Sequence, residues 1–488
     1  MKTVITALLL CLGVVASHAQ IANFKHVVVI VQENRTPDNL FQGLCTPPFG
    51  SPDSCRKSPA ADEKKYNIQT SNWQDKSHTI HPRSVPLANN YDLGHTHADF
   101  EAMCEETAGV CQMGGAAGVT CGPAAHCPKN PQFRFVENST GILNPYLQLA
   151  TEYGWANYMF QTNQGPSFPA HQFLFGATSA PSKTDDREGI FAAENMSGSG
   201  ISGTQAVAGC TAPNGPPPKP VTRVKLINPA GSETVLAPVY PCFEHQTIPD
   251  VLPVSATWRY YAPNATFIWT APIAIRHICV PSIASGGGHC TGSEWMNNVD
   301  LTPADVLDDI ADCNLASVSW VIPTGYNSDH ANDNDGGGPS WVAAIVNAIG
   351  RSTACDDNTG YWKNTAIFII WDDWGGWYDH EPPTILALKN QGGYQYGFRV
   401  PLIVVSAYTP RGLIDNNRHD FGSILRFIEL NFGVREGELG FADARSTTNL
   451  TDYFDLDAKP RIFRQIKAER TAEFFLNDTR PPTDPDTD

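Results

Sequence analysis

Two apolar runs stand out along the chain, and each ends in oxygen donors. His26-Val-Val-Val-Ile-Val-Gln32 leads into Glu33-Asn34, and Ala366-Ile-Phe-Ile-Ile-Trp371 leads into Asp372-Asp373. Continuous rather than alternating hydrophobicity over so few residues predicts strands buried on both faces. Thr257-Trp-Arg-Tyr-Tyr261, Ser317-Val-Ser-Trp-Val-Ile322 and Val400-Pro-Leu-Ile-Val-Val-Ser406 read as further strands. Helical spacing covers residues 145–158, Thr302 opens a helix over 303–311, Ser340 opens one to Ile349, and residues 421–432 are amphipathic. Thr247-Ile-Pro-Asp250 starts a short helix with Pro249 in its first turn. Helices alternating with buried strands predict an α/β fold, a mostly parallel sheet covered by helices on both faces. In such sheets ligands bind beyond the carboxyl ends of the strands, where both donor pairs fall.

The pattern changes character at both ends and in one long interior stretch. Lys2 followed by an apolar segment over residues 5–16 and by Ser17-His18-Ala19 reads as a signal peptide over residues 1–19. That points to a secreted or periplasmic protein, with residues 20–476 as a single domain and 477–488, rich in Pro and Asp, expected to be disordered. Residues 42–135 form an irregular insertion over the strand ends, and residues 208–222, with Pro216-Pro217-Pro218, a surface loop. Of the 13 cysteines, Cys11 leaves with the signal, and an even 12 remain for disulfides. Short spacings suggest Cys45–Cys55, Cys104–Cys111, Cys121–Cys127 and Cys279–Cys290. The net charge of −17 argues against nucleic acid as a partner and allows at most transient contact with a membrane surface.

On such an acidic chain, an anionic substrate requires a local positive centre. Glu33, Asn34, Asp372 and Asp373 offer oxygen donors suited to a hard divalent cation, although residues of this kind also cap helices and turns. In Gly165-Pro-Ser167-Phe-Pro-Ala-His171, the glycine and prolines suggest a tight turn that presents the Ser167 hydroxyl; the plain alternative is a helix cap. Beside a cation that hydroxyl becomes a usable nucleophile. His95 in Asp92-Leu-Gly-His95, His330 in Asn327-Ser-Asp-His330 and His380 in Trp377-Tyr-Asp-His380 are candidates to hold a phosphoryl oxygen or protonate a leaving group. Arg276-His277 is a further candidate phosphate contact.

Taken together, these motifs resemble the bacterial phosphoesterase family that contains secreted phospholipases C and a group of acid phosphatases, allied to the alkaline phosphatase superfamily. The resemblance rests on Glu33-Asn34-Arg35-Thr36-Pro37-Asp38, Asp92-Leu-Gly-His95, Ser328-Asp-His330, Asp372-Asp-Trp-Gly-Gly-Trp-Tyr-Asp-His380 and Ser423-Ile-Leu-Arg-Phe-Ile-Glu429, in that order. It implies one divalent cation (Ca, Mg, Mn or Zn) held by Glu33, Asn34, Asp372 and Asp373. It further implies a nucleophile at Ser167 and phosphate contacts from His95 and His330; the residues themselves add Asn34, His380 and His277 as candidate substrate contacts. The expected activity is metal-assisted hydrolysis of a phosphate ester, phospholipid or phosphomonoester, through a phosphoserine intermediate. A phospholipase C-type reaction is favoured and an acid phosphatase is the alternative; a sulfatase and a non-catalytic phosphate binder are minor ones. Two departures stand out: Asp373 where the family commonly has Glu, and Ser167-Phe-Pro where many phospholipases C carry Thr. His171 also stands where a sulfatase motif would have Arg.

Overall fold

A computed structural model describes residues 24–107, 109–196, 209–211, 223–265, 269–282, 288–388 and 392–483. The signal segment, most of the proline-rich loop and the last five residues lie outside them. The framework is one eight-stranded sheet. Its strands are β1 (His26–Gln32), β2 (Gly154–Phe160), β3 (Trp258–Tyr261), β4 (Val299–Asp300), β5 (Val318–Val321), β6 (Thr365–Trp371), β7 (Leu402–Val405) and β8 (Leu413–Asp420). In space they run β4-β3-β5-β1-β6-β7-β2-β8. Every neighbouring pair is parallel except the two made by β7, so seven strands point one way and one is reversed.

Each residue of β1, β2, β5, β6 and β7 is buried, so both faces of the sheet are covered, as continuous apolar runs demand. Four helices matter here: α1 (Asn144–Glu152), α2 (Ser167–Gly176), α3 (Gly338–Arg351) and α4 (Phe421–Asn431). Trp341, Val342, Ile345, Val346 and Ile349 give α3 a buried stripe at helical spacing, and Pro339 suits its first turn.

The helix expected to open at Ser340 already begins at Gly338, the one expected over 303–311 begins at Asp305, and one boundary differs by more. The helix expected over residues 145–158 stops at Glu152, and Gly154-Trp-Ala-Asn-Tyr-Met-Phe160 is strand β2. Its apolar side chains satisfy helical spacing, but Gly154 breaks the run and the β-forming aromatics pair with β7 and β8 instead. All four expected disulfides form, joined by Cys210–Cys242 and Cys313–Cys355. Arg480 pairs with Asp335 and lies over Tyr326, and Thr483 donates to Asp333. No helix among the described residues is long and apolar enough to cross a membrane.

Glu429, at the end of α4, is buried against Asp443. Burial and the neighbouring carboxylate push Glu429 from 4.5 up to about 8. The folded protein thus keeps a proton that the unfolded chain releases near 4.5, so this pair withdraws stability as pH rises from about 5 to 8. The melting temperature is expected to fall across that window, and Glu429→Gln to flatten the fall in a calorimetric pH series.

Candidate active site at the carboxyl edge of the sheet

Strand register brings the two donor pairs together. β1 and β6 pair in parallel from His26 with Thr365 to Gln32 with Trp371, so Glu33 and Asp372 leave the sheet level with each other. The backbone N–H of Asp372 donates to Gln32 O at 3.0 Å, extending the ladder by one step. The chain then turns sharply. Asn34 takes φ 58°, and its N–H donates to Asp372 Oδ1 at 3.2 Å. Gly375, at φ 60°, lies so close that a Cβ there would meet Asn34 O at 2.4 Å and Asn34 Cβ at 2.7 Å. Its N–H donates to Asp373 Oδ1 at 2.7 Å. Glu33, Asn34, Asp372 and Asp373 are all fully buried.

β2 runs in the same direction as β6, and the turn after it delivers Ser167 to the same edge. Ser167 is the first residue of α2, with Pro166 before it in extended conformation. Its hydroxyl lies 3.1 Å from Asp373 Oδ2 and 3.3 Å from Glu33 Oε2. One helical turn later, His171 Nε2 lies 3.5 Å from Glu33 Oε1 and 3.4 Å from Asp372 Oδ2.

Two more histidines close the other side. His330 arrives on the loop after β5, and His95 on the insertion between β1 and β2. The Nδ1 atoms lie against backbone carbonyls, His95 at 2.7 Å from Leu93 O and His330 at 2.8 Å from Ala331 O. Carbonyls only accept, so both Nδ1 atoms carry hydrogen and both Nε2 atoms face the site. The Asn34 amide stands between the two halves. With Nδ2 toward His95 Nε2, at 3.1 Å, its oxygen faces the three carboxylates. The reverse orientation aims the nitrogen at Glu33, Asp372 and Asp373 and requires a second proton on each histidine, at 2.9 Å for His330 and 3.1 Å for His95. A cation among the carboxylates would select the first orientation, with the amide oxygen turned toward it. In that orientation one amide oxygen and three carboxylates converge, a donor set that fits a divalent cation.

The structure does not bring His380 or His277 to this cluster. His380 Nδ1 is 2.7 Å from Asp38 Oδ2, and its Nε2 is 2.9 Å from Asn67 Oδ1. Burial pushes Asp38 up and the His380 ring down, so the pair shares one proton. Arg399 locks the neighbouring Asp379 with bonds of 3.0 and 2.9 Å. Asp38, Asp379 and His380 are thus already satisfied within the protein and serve as a buttress under the site. His277 lies between Asp250 and Glu244, and its hydrogen bond to Asp250 raises it to about 9. His171 is the residue the sequence reading passed over as a ligand; its spacing of four from Ser167 on one helix was the available signal.

With this geometry in place, comparison with known proteins gives the class. The chain matches the Phosphoesterase family over residues 24–435 and belongs to it. Phospholipase C A of Mycobacterium tuberculosis (strain CDC 1551 / Oshkosh) is similar at 31% identity over 154 residues, 27% of this chain and 28% of that protein. The non-hemolytic phospholipase C of Pseudomonas aeruginosa is similar at 26% over 232 residues, 41% of this chain and 31% of that one. The matched segments span less than a third of these relatives' length, 28% and 31%. Among solved structures, a protein in the alkaline phosphatase superfamily from Vibrio parahaemolyticus aligns over 76% of this chain and 71% of its own, at 10% identity and a TM-score of 0.31.

Gly375→Ala tests the close approach of the two strand ends. The added methyl must displace Asn34, and misplacement by about 1 Å typically costs on the order of 100-fold in rate. Turnover of a chromogenic phosphate ester is expected to fall by at least that factor, with the circular dichroism spectrum retained.

Proposed function

We propose that this protein is a secreted or periplasmic metal-assisted phosphoesterase with Ser167 as its nucleophile, acting on phosphodiesters in the manner of a phospholipase C. The observation that carries this reading is the Ser167 hydroxyl within hydrogen-bond reach of Glu33 and Asp373, facing two histidine Nε2 atoms across Asn34. Glu33, Asn34, Asp372 and Asp373 would hold the cation. When bound, it supplies Lewis-acid polarisation of a phosphoryl oxygen and favours the serine alkoxide.

The chain's own residues account for the remaining steps. Ser167 gives up its proton to Asp373 or Glu33, both within hydrogen-bond reach of its oxygen, as that oxygen attacks phosphorus. The new O–P bond forms as the bond to the leaving oxygen breaks, and Nε2 of His330 or His95, when protonated, donates to that oxygen. The N-terminal end of α2 adds partial positive charge beside the phosphoryl group. Water then cleaves the phosphoserine, restoring the hydroxyl and releasing the phosphate product. Burial of every participant favours this chemistry, because fixed dipoles act more strongly out of bulk water. Secretion is supported by the six disulfides among the described residues.

A phosphomonoesterase is the second reading, favoured by the Ser167-Phe-Pro segment, which departs from the threonine form of many phospholipases C. Ser167→Ala is expected to lower turnover by roughly 1000-fold or more on both p-nitrophenylphosphorylcholine and p-nitrophenyl phosphate. Near wild-type rates in that variant would remove Ser167 from the mechanism. The ratio of the two wild-type rates separates the readings: the diesterase turns over the phosphorylcholine ester faster, the monoesterase the simple phosphate. A protein that only binds its ligand turns over neither substrate with any added divalent ion.

A further inference from the structure

His171 sits at the back of the proposed cation centre in an arrangement that the oxygen donors alone do not explain. Its ring is fully buried, between Glu33 Oε1 at 3.5 Å and Asp372 Oδ2 at 3.4 Å. Neither His171 Nε2 nor Asp372 Oδ2 makes a hydrogen bond. Donors that share one ion at about 2.1 Å lie roughly 3.0–3.4 Å from each other, close to this spacing.

The other ring nitrogen decides what Nε2 can do. His171 Nδ1 lies 3.4 Å from the Tyr260 hydroxyl. That hydroxyl donates its only proton to Trp269 O at 2.7 Å and accepts from the Ala271 N–H at 3.3 Å. It has no proton left to give to His171, so it must accept, and His171 Nδ1 must carry hydrogen. A neutral ring in that tautomer aims its Nε2 lone pair between the two carboxylates. A buried hydroxyl fixing the far nitrogen is the arrangement by which metal-ligating histidines are oriented.

We propose that His171 supplies an imidazole nitrogen to the cation centre, that Tyr260 is the positioning residue holding it there, and that the centre consequently prefers a nitrogen-accepting ion of the zinc type over calcium or magnesium. The inference rests on the reading that Glu33, Asn34, Asp372 and Asp373 hold a cation. It adds a ligand that changes the donor set from oxygen alone to oxygen plus imidazole. Imidazole suits zinc and its transition-metal neighbours, whereas calcium and magnesium take oxygen.

The test uses the full chain stripped with chelator, titrated calorimetrically with Zn²⁺ and with Ca²⁺, and the zinc-loaded protein studied by X-ray absorption. Zinc is expected to bind at least ~100-fold more tightly than calcium, with outer-shell imidazole scattering in the spectrum. His171→Gln should lose that scattering and at least tenfold of the preference. Tyr260→Phe keeps the ring that packs in the core and removes only the acceptor; it should weaken zinc by roughly 10–100-fold and leave calcium unchanged. A wild-type zinc spectrum with oxygen scattering alone overturns the proposal, as does tighter binding of calcium. So does a zinc preference that Tyr260→Phe leaves intact, and this holds even if His171→Gln fails to fold. Those results mean His171 is a fixed imidazolium neutralising Glu33 and Asp372. Failure to bind either ion overturns the cation reading as well, whereas binding without an imidazole signature overturns only the role of His171.

Discussion

Charge crowding at one edge of the sheet is the constraint to which the rest of the molecule answers. Glu33, Asp372 and Asp373 are buried together around one serine hydroxyl and one amide. Two unit charges 4 Å apart repel by about 4 kcal/mol at an effective dielectric of 20, and three carboxylates make three such pairs. No chain would collect them there spontaneously. The parallel register of β1 with β6 imposes the meeting, and the apolar burial of both strands supplies the stabilisation that outweighs it. Compensation must come from positive charge placed among them, either a cation with His171 as its neutral ligand or, in place of a cation, His171 itself as an imidazolium.

Each residue of the first motif then has a distinct task. Glu33 and Asn34 face the cradle. Arg35 turns the other way, donating to Asp329 O at 2.8 Å and Leu87 O at 3.1 Å and lying over Trp377, which fixes the loop that presents His330. Thr36 accepts from the Asn39 N–H at 3.1 Å and caps the short helix Pro37–Leu40. Asp38 reaches His380 at 2.7 Å and so ties the first strand end to the segment that follows Asp373. The two strand ends are therefore clasped twice, at the cradle itself and again beneath it, where Arg399 neutralises Asp379. A buried ion pair of this kind contributes little net stability, but losing one partner leaves an uncompensated charge, so it fixes geometry.

Much of this was legible in the chain, and the parts that were not share one cause. Continuous apolar runs gave away β1 and β6, and oxygen donors at their ends marked the binding edge. Local disulfides followed from short spacing. Strand β2 was misread because helical and strand periodicities overlap over a few apolar residues, and pairing with β7 and β8 decided the outcome. His380 and His277 looked like substrate ligands because their partners, Asp38 and Asn67 for one and Asp250 and Glu244 for the other, are not visible from the motifs that hold them. His171 was obscured for the converse reason: its carboxylate neighbours lie more than a hundred residues away in both directions, and only its spacing from Ser167 ties it to the site.

That distance in sequence conceals how closely the proposed nucleophile and the proposed ligand are coupled in space. Ser167 and His171 occupy successive turns of α2, so the rotation that carries the imidazole toward Glu33 and Asp372 also carries the hydroxyl toward Asp373. Two fixed points on a rigid helix set its orientation about its axis far more firmly than one. Tyr260 holds the first point from behind, through a strand on the opposite side of β1 from the one that delivers Ser167. The aim of the serine oxygen is thus determined from both halves of the sheet, and a disturbance at Tyr260 would reach Ser167 through the helix without touching it.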